Sequence, residues 1–518
     1  MKRDRMLDRI AETGKQWDVA VIGGGATGLG VALEACSRGY QTVLLEQHDF
    51  SKGTSSRSTK LIHGGIRYLQ QGNVSLVIEA LKERGLLIQN APHLVHHRSF
   101  IVPAYDWWSG PFYGIGLKIY DLMAGKLGLN PSRRLSREET LSHIPTLEPQ
   151  DLRGGIMYYD GQFDDSRLAI NLAQTIDDLK GTVINYMPVT SILKKDDLVK
   201  GVVAVDTETG NQYELESKVV INATGIFTDQ ILKMDNPGAE RLLTLSQGVH
   251  LVLDEEFLPG DSAIMVPHTD DGRVLFAVPW NGKVLVGTTD TPIPAPLLEP
   301  PPLEEEIEFL LAHAARYLTK DPQFSDIRSI FVGIRPLVTP GDQTDTATIS
   351  RDHYLLVSES GMLTITGGKW TTYRKMAEDT INQASVVGDL PEQESCSRNL
   401  KIHGWYENPD QKDPLSYYGS DASHLKEIMA KDPVMKESIH PRLPYSKATV
   451  IWAVREEMAR TVEDVLSRRT RALLLDAHAS LEAAPLVAEL IAKELGYSES
   501  SMKRQIESYQ KVCSSYLP

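Results

Sequence analysis

Residues 17–30 read WDVAVIGGGATGLG, an apolar run that breaks on glycines at fixed spacing and resumes as the small-residue stretch ATGLGVALEACSRG. The first part has the continuous apolar character of a buried strand, and the second that of a packed helix ending at Gly39. A second strand, QTVLLE, follows at once. Strand, glycine turn, helix and strand make a βαβ unit, whose right-handed crossover commits the chain to a parallel sheet covered by helices. The glycines carry chemistry as well. Gly23 permits the tight turn, Gly25 lets backbone approach a diphosphate, and Gly28 lets the helix pack on the strand. The helix N-terminus offers free N–H groups to the phosphates, and Glu46, closing the second strand, can accept from ribose hydroxyls. A ligand-free glycine turn is the plain alternative. Strand, helix and acid together favour a dinucleotide site.

At 518 residues the chain is long enough for several domains of roughly 150 residues each. Helical patterns are expected near Asn73 to Asn90 and in DDSRLAINLAQTIDDLKG, with the strand TVINYMP after the latter. The run GVVAVDTETGNQYELESKVVINA predicts a hairpin turning at Thr209, Gly210 and Asn211. VHLVLD, AIMVP, RVLFAVP and KVLVGTT succeed one another with turn residues between them, the punctuation of an antiparallel sheet that could lie over the first domain. PPLEEEIEFLLAHAARYL predicts a helix with acidic residues in its first turn. From about residue 389 a polar linker leads into helical patterns with hardly any strand signal.

Basic residues number 54 and acidic residues 69, and the net charge of −15 argues against general attraction to nucleic acid or an acidic membrane surface. An anionic ligand therefore needs a local cationic pocket. Cys36, Cys396 and Cys513 lie far apart without ligand spacing, so neither a disulfide framework nor a metal site is expected, and a reducing cytoplasm suits the chain. No signal peptide and no spanning helix are read. The aromatic stretch around Trp107 and Trp108, from Tyr105 to Tyr120, could touch lipid, although burial in the protein's own core is the plainer reading. Arg468, Arg469 and Arg471, with Glu456, Glu457, Glu463 and Asp464 nearby, are expected to form a salt-bridged, solvated helix face.

Three segments favour FAD over a nicotinamide cofactor. VVINATG ends a strand in the small-residue turn Ala223, Thr224 and Gly225. TSSRSTKLIHGGIRYL supplies Thr54, Ser55, Ser56, Thr59, Lys60, Leu61 and Gly64. TITGGKWTTYRK brings Gly367, Gly368 and Thr371 to an expected helix start able to stabilise negative charge on a flavin ring. A nicotinamide enzyme has no evident need of such distant elements.

With these motifs the chain resembles the FAD-dependent glycerol-3-phosphate dehydrogenases, flavoproteins of the D-amino-acid-oxidase-like superfamily. The likeness is carried in order by VIGGGATGLG, TSSRSTKLIHGGIRYL, YDGQFDDSRL, INATG, GVH, PWNGKVLVGTTD, VGIRPL, ISRDHYLL, GGKWTTYRKMAE and EEMARTVEDVLSRRTRALLLDA. It implies an α/β fold: a Rossmann-type FAD domain from 16–75, 160–228 and 351–388, an antiparallel-sheet substrate domain from 76–159 and 229–350, and an all-α domain from 389–518. It also implies oxidation of sn-glycerol 3-phosphate to dihydroxyacetone phosphate, with electrons passed to a quinone.

Such a reaction needs a base near the alcohol, and His250 in GVH is the candidate, although a lone strand histidine is ordinarily structural. Arg335, Arg351 and Lys369 match the family's substrate motifs and suit a phosphate. Arg67 and Tyr68 match another, Arg67 as a catalytic or phosphate group. Thr289 and Asp290 either line the pocket or cap a turn. Trp370 stands where a smaller aliphatic residue is expected. A homodimer and peripheral contact with the cytoplasmic face of a membrane are further expectations from the resemblance. The family also holds oxygen-using oxidases with a long insertion that is not evident here. A flavin oxidase of amino or hydroxy acids is the other enzymatic alternative, and a non-catalytic flavin scaffold the alternative from another class.

Overall fold

A computed structural model describes residues 1–12, 14–65, 73–106, 109–267, 269–270, 272–339 and 353–518. Two sheets organise them. The first has the order 353–357, 363–367, 212–222, 16–22, 42–45 and 182–184, with 189–195 and 198–205 as an antiparallel extension beside 212–222. Its central strand Gln16–Ile22 pairs in parallel with Thr42–Leu45 on one side and Gln212–Asn222 on the other, and Gln212–Asn222 pairs in parallel with Leu363–Gly367. Strands covered on both faces have no polar face to alternate, which is why VAVI and TVLL read as unbroken apolar runs. The hairpin expected at Thr209 to Asn211 is present, with Val205 opposite Gln212.

The second sheet runs 291–293, 243–254, 283–287, 275–280, 262–266, 95–104, 154–163 and 61–62, with 329–338 against 243–254 and 133–135 against 154–163. It is antiparallel except that Ser262–Val266 runs parallel to Val95–Ala104. Leu61–Ile62 and the end of Gly154–Phe163 belong to this sheet, although their positions fall inside segments assigned above to the cofactor domain.

Alternation along Leu243–Asp254 divides the second sheet's two cores. Leu251 and Leu253 pack with Ile307 and Leu310 of the helix Glu304–Ala315. Val252 turns to the other face and packs with the C-terminal helices Lys447–Glu456 and Ala477–Leu495. The helical C-terminal region thus shares its core with the second sheet. Each fully buried Leu-sized side chain in such a seam contributes about 1.5–3 kcal/mol.

The helix expected to begin at the glycine pair begins instead at Tyr373, after a short 3-10 turn over Trp370–Thr372. Gly367 and Gly368 have φ of +75° and +68°, a left-handed conformation that cannot start a right-handed helix.

Candidate active site

The C-terminal ends of the parallel strands open into a solvent-connected cleft lined by Gly23, Gly25, Glu46, Ala223, Thr224 and Gly225, among others. This is where open α/β sheets bind ligands. A Cβ at Gly23, whose φ is +107°, would lie 2.7 Å from the Ala223 carbonyl oxygen, and one at Gly28 would lie 1.9 Å from that of Gly23. The turn therefore closes only with glycine there. Gly25 is the N-cap of the helix Ala26–Ser37 and has no side chain to cap it; the Ser55 hydroxyl takes the Ala26 amide, and the dipole of this end is directed at the cleft. The Glu46 carboxylate accepts from the Gly24 amide at 2.6 Å and the His48 amide at 2.8 Å, which fixes it at the cleft wall with lone pairs to spare. A glycine cradle, a helix N-terminus at the cleft and a fixed carboxylate fit the diphosphate and ribose of a dinucleotide such as FAD.

Only the start of the Thr54–Gly64 stretch lines this cleft. Thr54 and Ser55 do so, and the Ser55 hydroxyl accepts from the Ala26 amide at 2.9 Å. The stretch then runs to the second sheet. The Thr54 hydroxyl donates to the Ile334 carbonyl at 2.6 Å, and Ser56 is buried. Lys60 is fully buried and donates to Asp165 at 2.7 Å, and burial draws its ammonium down to about 8 in spite of that carboxylate. Leu61 pairs with Gln162, and the Gly64 amide donates to the Tyr120 hydroxyl. Gly367, Gly368, Lys369 and Thr371 also lie outside the cleft lining. Thr371 meets the backbone of His63, and the Trp370 indole donates to the Ser55 carbonyl at 2.8 Å, so the bulky residue ties its turn to the cleft-lining segment.

His250 sits where that segment meets the second sheet. It is 3% exposed, stacks on Phe331 with ring centroids 4.7 Å apart, and its Nε2 is 2.9 Å from the Thr59 hydroxyl. Its Nδ1 is buried with no hydrogen-bond partner among the described residues. Desolvation, reinforced by the positive charges of Lys60 and Arg335, holds its pKa well below the ordinary value, so the ring is neutral.

Arg335 extends over Gly248, where a Cβ would meet its guanidinium at 2.4 Å. The guanidinium donates to Asp290 at 3.2 Å, the Thr288 hydroxyl at 3.1 Å, the Thr289 carbonyl at 3.0 Å and the Gln247 carbonyl at 3.3 Å. The Thr288–Asp290 turn is itself held by Glu306, which accepts from Thr289 at 2.8 Å, Thr291 at 2.6 Å and Gln247 at 2.7 Å. Asp290 therefore serves Arg335 directly. Glu306 went unnoticed among three consecutive glutamates, yet its four-residue spacing from the core residue Leu310 places it on the inward face. Arg67, Tyr68 and Arg351 lie outside the described residues.

The solvated face expected for Arg468, Arg469 and Arg471 is corrected by the structure. All three are buried, at 3%, 1% and 2% exposure, and their partners include Asp49 and Asp165 of the first half of the chain. Their charges are met in the interior by remote carboxylates and, for Arg468, also by the neighbouring Glu463 and Asp464. The aromatic stretch is divided: Leu117 and Tyr120 are buried, Ile119 and Leu122 are exposed, and Trp107 and Trp108 lie outside the described residues.

Comparison with known proteins adds the following. The family description "FAD dependent oxidoreductase" matches residues 18–374, and "C-terminal domain of alpha-glycerophosphate oxidase" matches residues 360–502. The mitochondrial glycerol-3-phosphate dehydrogenase of Homo sapiens is 40% identical over 98% of this chain and 74% of its own length. That of Schizosaccharomyces pombe is 37% identical over 96% of this chain and 87% of its own length. The crystal structure of a glycerol-3-phosphate dehydrogenase from Bacillus halodurans complexed with FAD superposes with a TM-score of 0.80 at 28% identity, covering 100% of this chain and 98% of that one.

Proposed function

The chain belongs to the FAD-dependent glycerol-3-phosphate dehydrogenase family of oxidoreductases, and from that premise we propose that it oxidises sn-glycerol 3-phosphate to dihydroxyacetone phosphate and passes the electrons to a quinone. One observation carries the reading. A single segment, Thr54–Lys60, lines a dinucleotide cleft at one end and touches a neutral buried imidazole at the other.

Bound FAD supplies the hydride acceptor for the carbinol carbon. The Gly23–Ala26 turn and Glu46 would hold its diphosphate and ribose, and the candidates outside the cleft lining, Ser56, Thr59, Lys60, Leu61, Gly64, Gly367, Gly368 and Thr371, are proposed for its remainder from their motifs. Arg335, oriented by Asp290 and the Thr288–Thr289 turn, grips the substrate phosphate, and Lys369, Arg351, Arg67 and Tyr68 are assigned to the same substrate by their sequence motifs. His250 accepts the hydroxyl proton. Its neutrality leaves a lone pair available, and a substrate phosphate gripped by Arg335 would offset one of the charges that depress its basicity. Burial keeps water from competing for that proton.

Quinone reduction calls for membrane contact. Among the described residues no helix is long and apolar enough to cross a bilayer. Exposed Val74 and Ile78 on the helix Val74–Asn90, with Ile119 and Leu122 on its packing neighbour Ser109–Ala124, offer a peripheral surface on the cytoplasmic side. A homodimer belongs to the same reading and is checked by light scattering. Oxygen as acceptor is a second reading, favoured by the oxidase description of residues 360–502.

The test is anaerobic addition of glycerol 3-phosphate to the FAD-loaded protein. Bleaching of the flavin band by glycerol 3-phosphate, but not by glycerol or amino acids, is expected. Bleaching by an amino acid alone overturns the proposal. Reoxidation by a soluble quinone faster than by oxygen separates the two acceptors.

A further inference from the structure

We infer that Arg468, Arg469 and Arg471 of the C-terminal helical region are positioning residues for the cofactor cleft, clamping both ends of its wall Asp49–Ser56; the inference rests on the reading of that cleft as the FAD site. The five consecutive residues Ser51 to Ser55 all line the cleft. Asp49, just before them, is fully buried and receives Arg469 Nη1 at 2.6 Å and Nη2 at 2.8 Å, with Arg468 Nε at 2.5 Å. Ser56, just after them, gives its carbonyl to Arg471 Nη2 at 2.6 Å and to Lys60 Nζ at 2.9 Å. Arg471 also reaches Asp165 at 3.1 Å, the carboxylate that pairs with Lys60. Midway along the wall, Lys52 pairs with Glu463 at 2.8 Å, and Glu463 accepts from Arg468 at 2.8 Å. Three tethers over eight residues, all reaching the C-terminal region, leave this wall little freedom of its own.

The local backbone is shaped for this grip. Successive side chains on an α-helix diverge by about 100°, so neighbouring arginines ordinarily reach different partners. Asp464–Arg469 is a π-helical turn, in which the Thr470 amide donates to the Val465 carbonyl at 2.8 Å, and its wider winding brings Arg468 and Arg469 to one carboxylate. The forked contact of Arg469 with both Asp49 oxygens is one that a lysine cannot reproduce. Stability alone is a poor reason for such a cluster, because buried ion pairs are often replaceable by apolar side chains without loss. Fixing the wall against which a nucleotide lies is a reason that needs the directional contacts themselves.

The test uses full-length Arg469→Lys and Arg471→Lys, with Ile491→Ala, a buried residue of the helix Ala477–Leu495 that does not line the cleft, as a control of matched destabilisation. Two quantities are read: the FAD dissociation constant by flavin fluorescence, and amide exchange of residues 50–56 in the FAD-free protein. Each arginine variant is expected to weaken FAD binding at least tenfold and to speed exchange in 50–56 at least tenfold, while Ile491→Ala lowers Tm and changes neither. Should Arg469→Lys not accumulate as folded protein, Arg471→Lys probes the other end of the wall by the same readouts. FAD affinity and exchange within tenfold of wild type in a folded arginine variant, or equal losses in Ile491→Ala, overturn the inference. A wild-type protein that binds no FAD overturns the reading of the cleft, so the two failures are distinguishable.

Discussion

Arg335 is a cation whose direction is set before any ligand arrives, because a carboxylate, a hydroxyl and two carbonyls hold its guanidinium. Removing it deletes charge-assisted bonds worth about 1.5–3 kcal/mol each. Arg335→Ala is therefore expected to raise KM for glycerol 3-phosphate roughly 10- to 100-fold while FAD affinity changes less than threefold, as read by steady-state kinetics and flavin fluorescence. Equal losses of both place the residue with the cofactor instead. His250→Asn keeps a polar group of similar size but no base, and flavin reduction measured by stopped flow is expected to slow about 10²- to 10⁴-fold with little change in FAD affinity. His250 and Arg335 stand in recognisable short motifs, which is why the sequence singles them out. Their supports are only partly legible there: Thr59 and Asp290 stand out for other roles and Glu306 for none, because all three act through oxygens brought together by long-range pairing, which no local pattern encodes.

At the scale of elements, the βαβ turn separates two kinds of glycine. A methyl at Gly28 meets the Gly23 carbonyl at 1.9 Å, which is backbone and cannot yield, whereas at Gly25 it meets the Ser55 hydroxyl at 3.0 Å, which can rotate away. Gly28→Ala is expected to cost about 1–3 kcal/mol of stability, seen as a lower Tm of the FAD-free protein. Gly25→Ala is expected to leave that Tm nearly unchanged but to weaken FAD binding at least tenfold, since its methyl stands where the diphosphate must approach. A Tm loss as large in Gly25→Ala would contradict the division. This turn was legible because spacing and periodicity agree over thirty or so neighbouring residues. The offset start of the Tyr373–Val387 helix was not, since a glycine pair reads equally as helix entry or as left-handed backbone. The arginine cluster was misread for a related reason: alternating charges at helical spacing look the same on a solvated face and in a buried interface, and only the flanking run Leu473–Leu475 hinted at burial.

Across the whole molecule, the linker to the C-terminal region is fastened by His403, whose Nδ1 lies 2.6 Å from Asp178 and Nε2 2.9 Å from Asp421. Burial lowers its pKa, but the hydrogen bonds to both carboxylates outweigh that and carry it up to about 9. Its pKa in the folded state thus exceeds the unfolded value near 6.5, so its contribution is full below about pH 6.5 and disappears as pH rises through about 9. After allowance for screening this is on the order of 2 kcal/mol. Chemical denaturation of wild type and His403→Gln is expected to show a stability difference at pH 6 that has largely closed by pH 9.5. A difference constant over that range would remove the charge from the account.

If one cleft and one neutral imidazole serve oxidation of the carbinol carbon of glycerol 3-phosphate, anaerobic stopped flow with substrate deuterated at that carbon reports the step itself. Flavin bleaching is expected to slow several-fold with deuterium at C2 and to be unaffected by deuterium at C1 or C3. Equal rates for all three isotopologues, with no dihydroxyacetone phosphate formed, would contradict it.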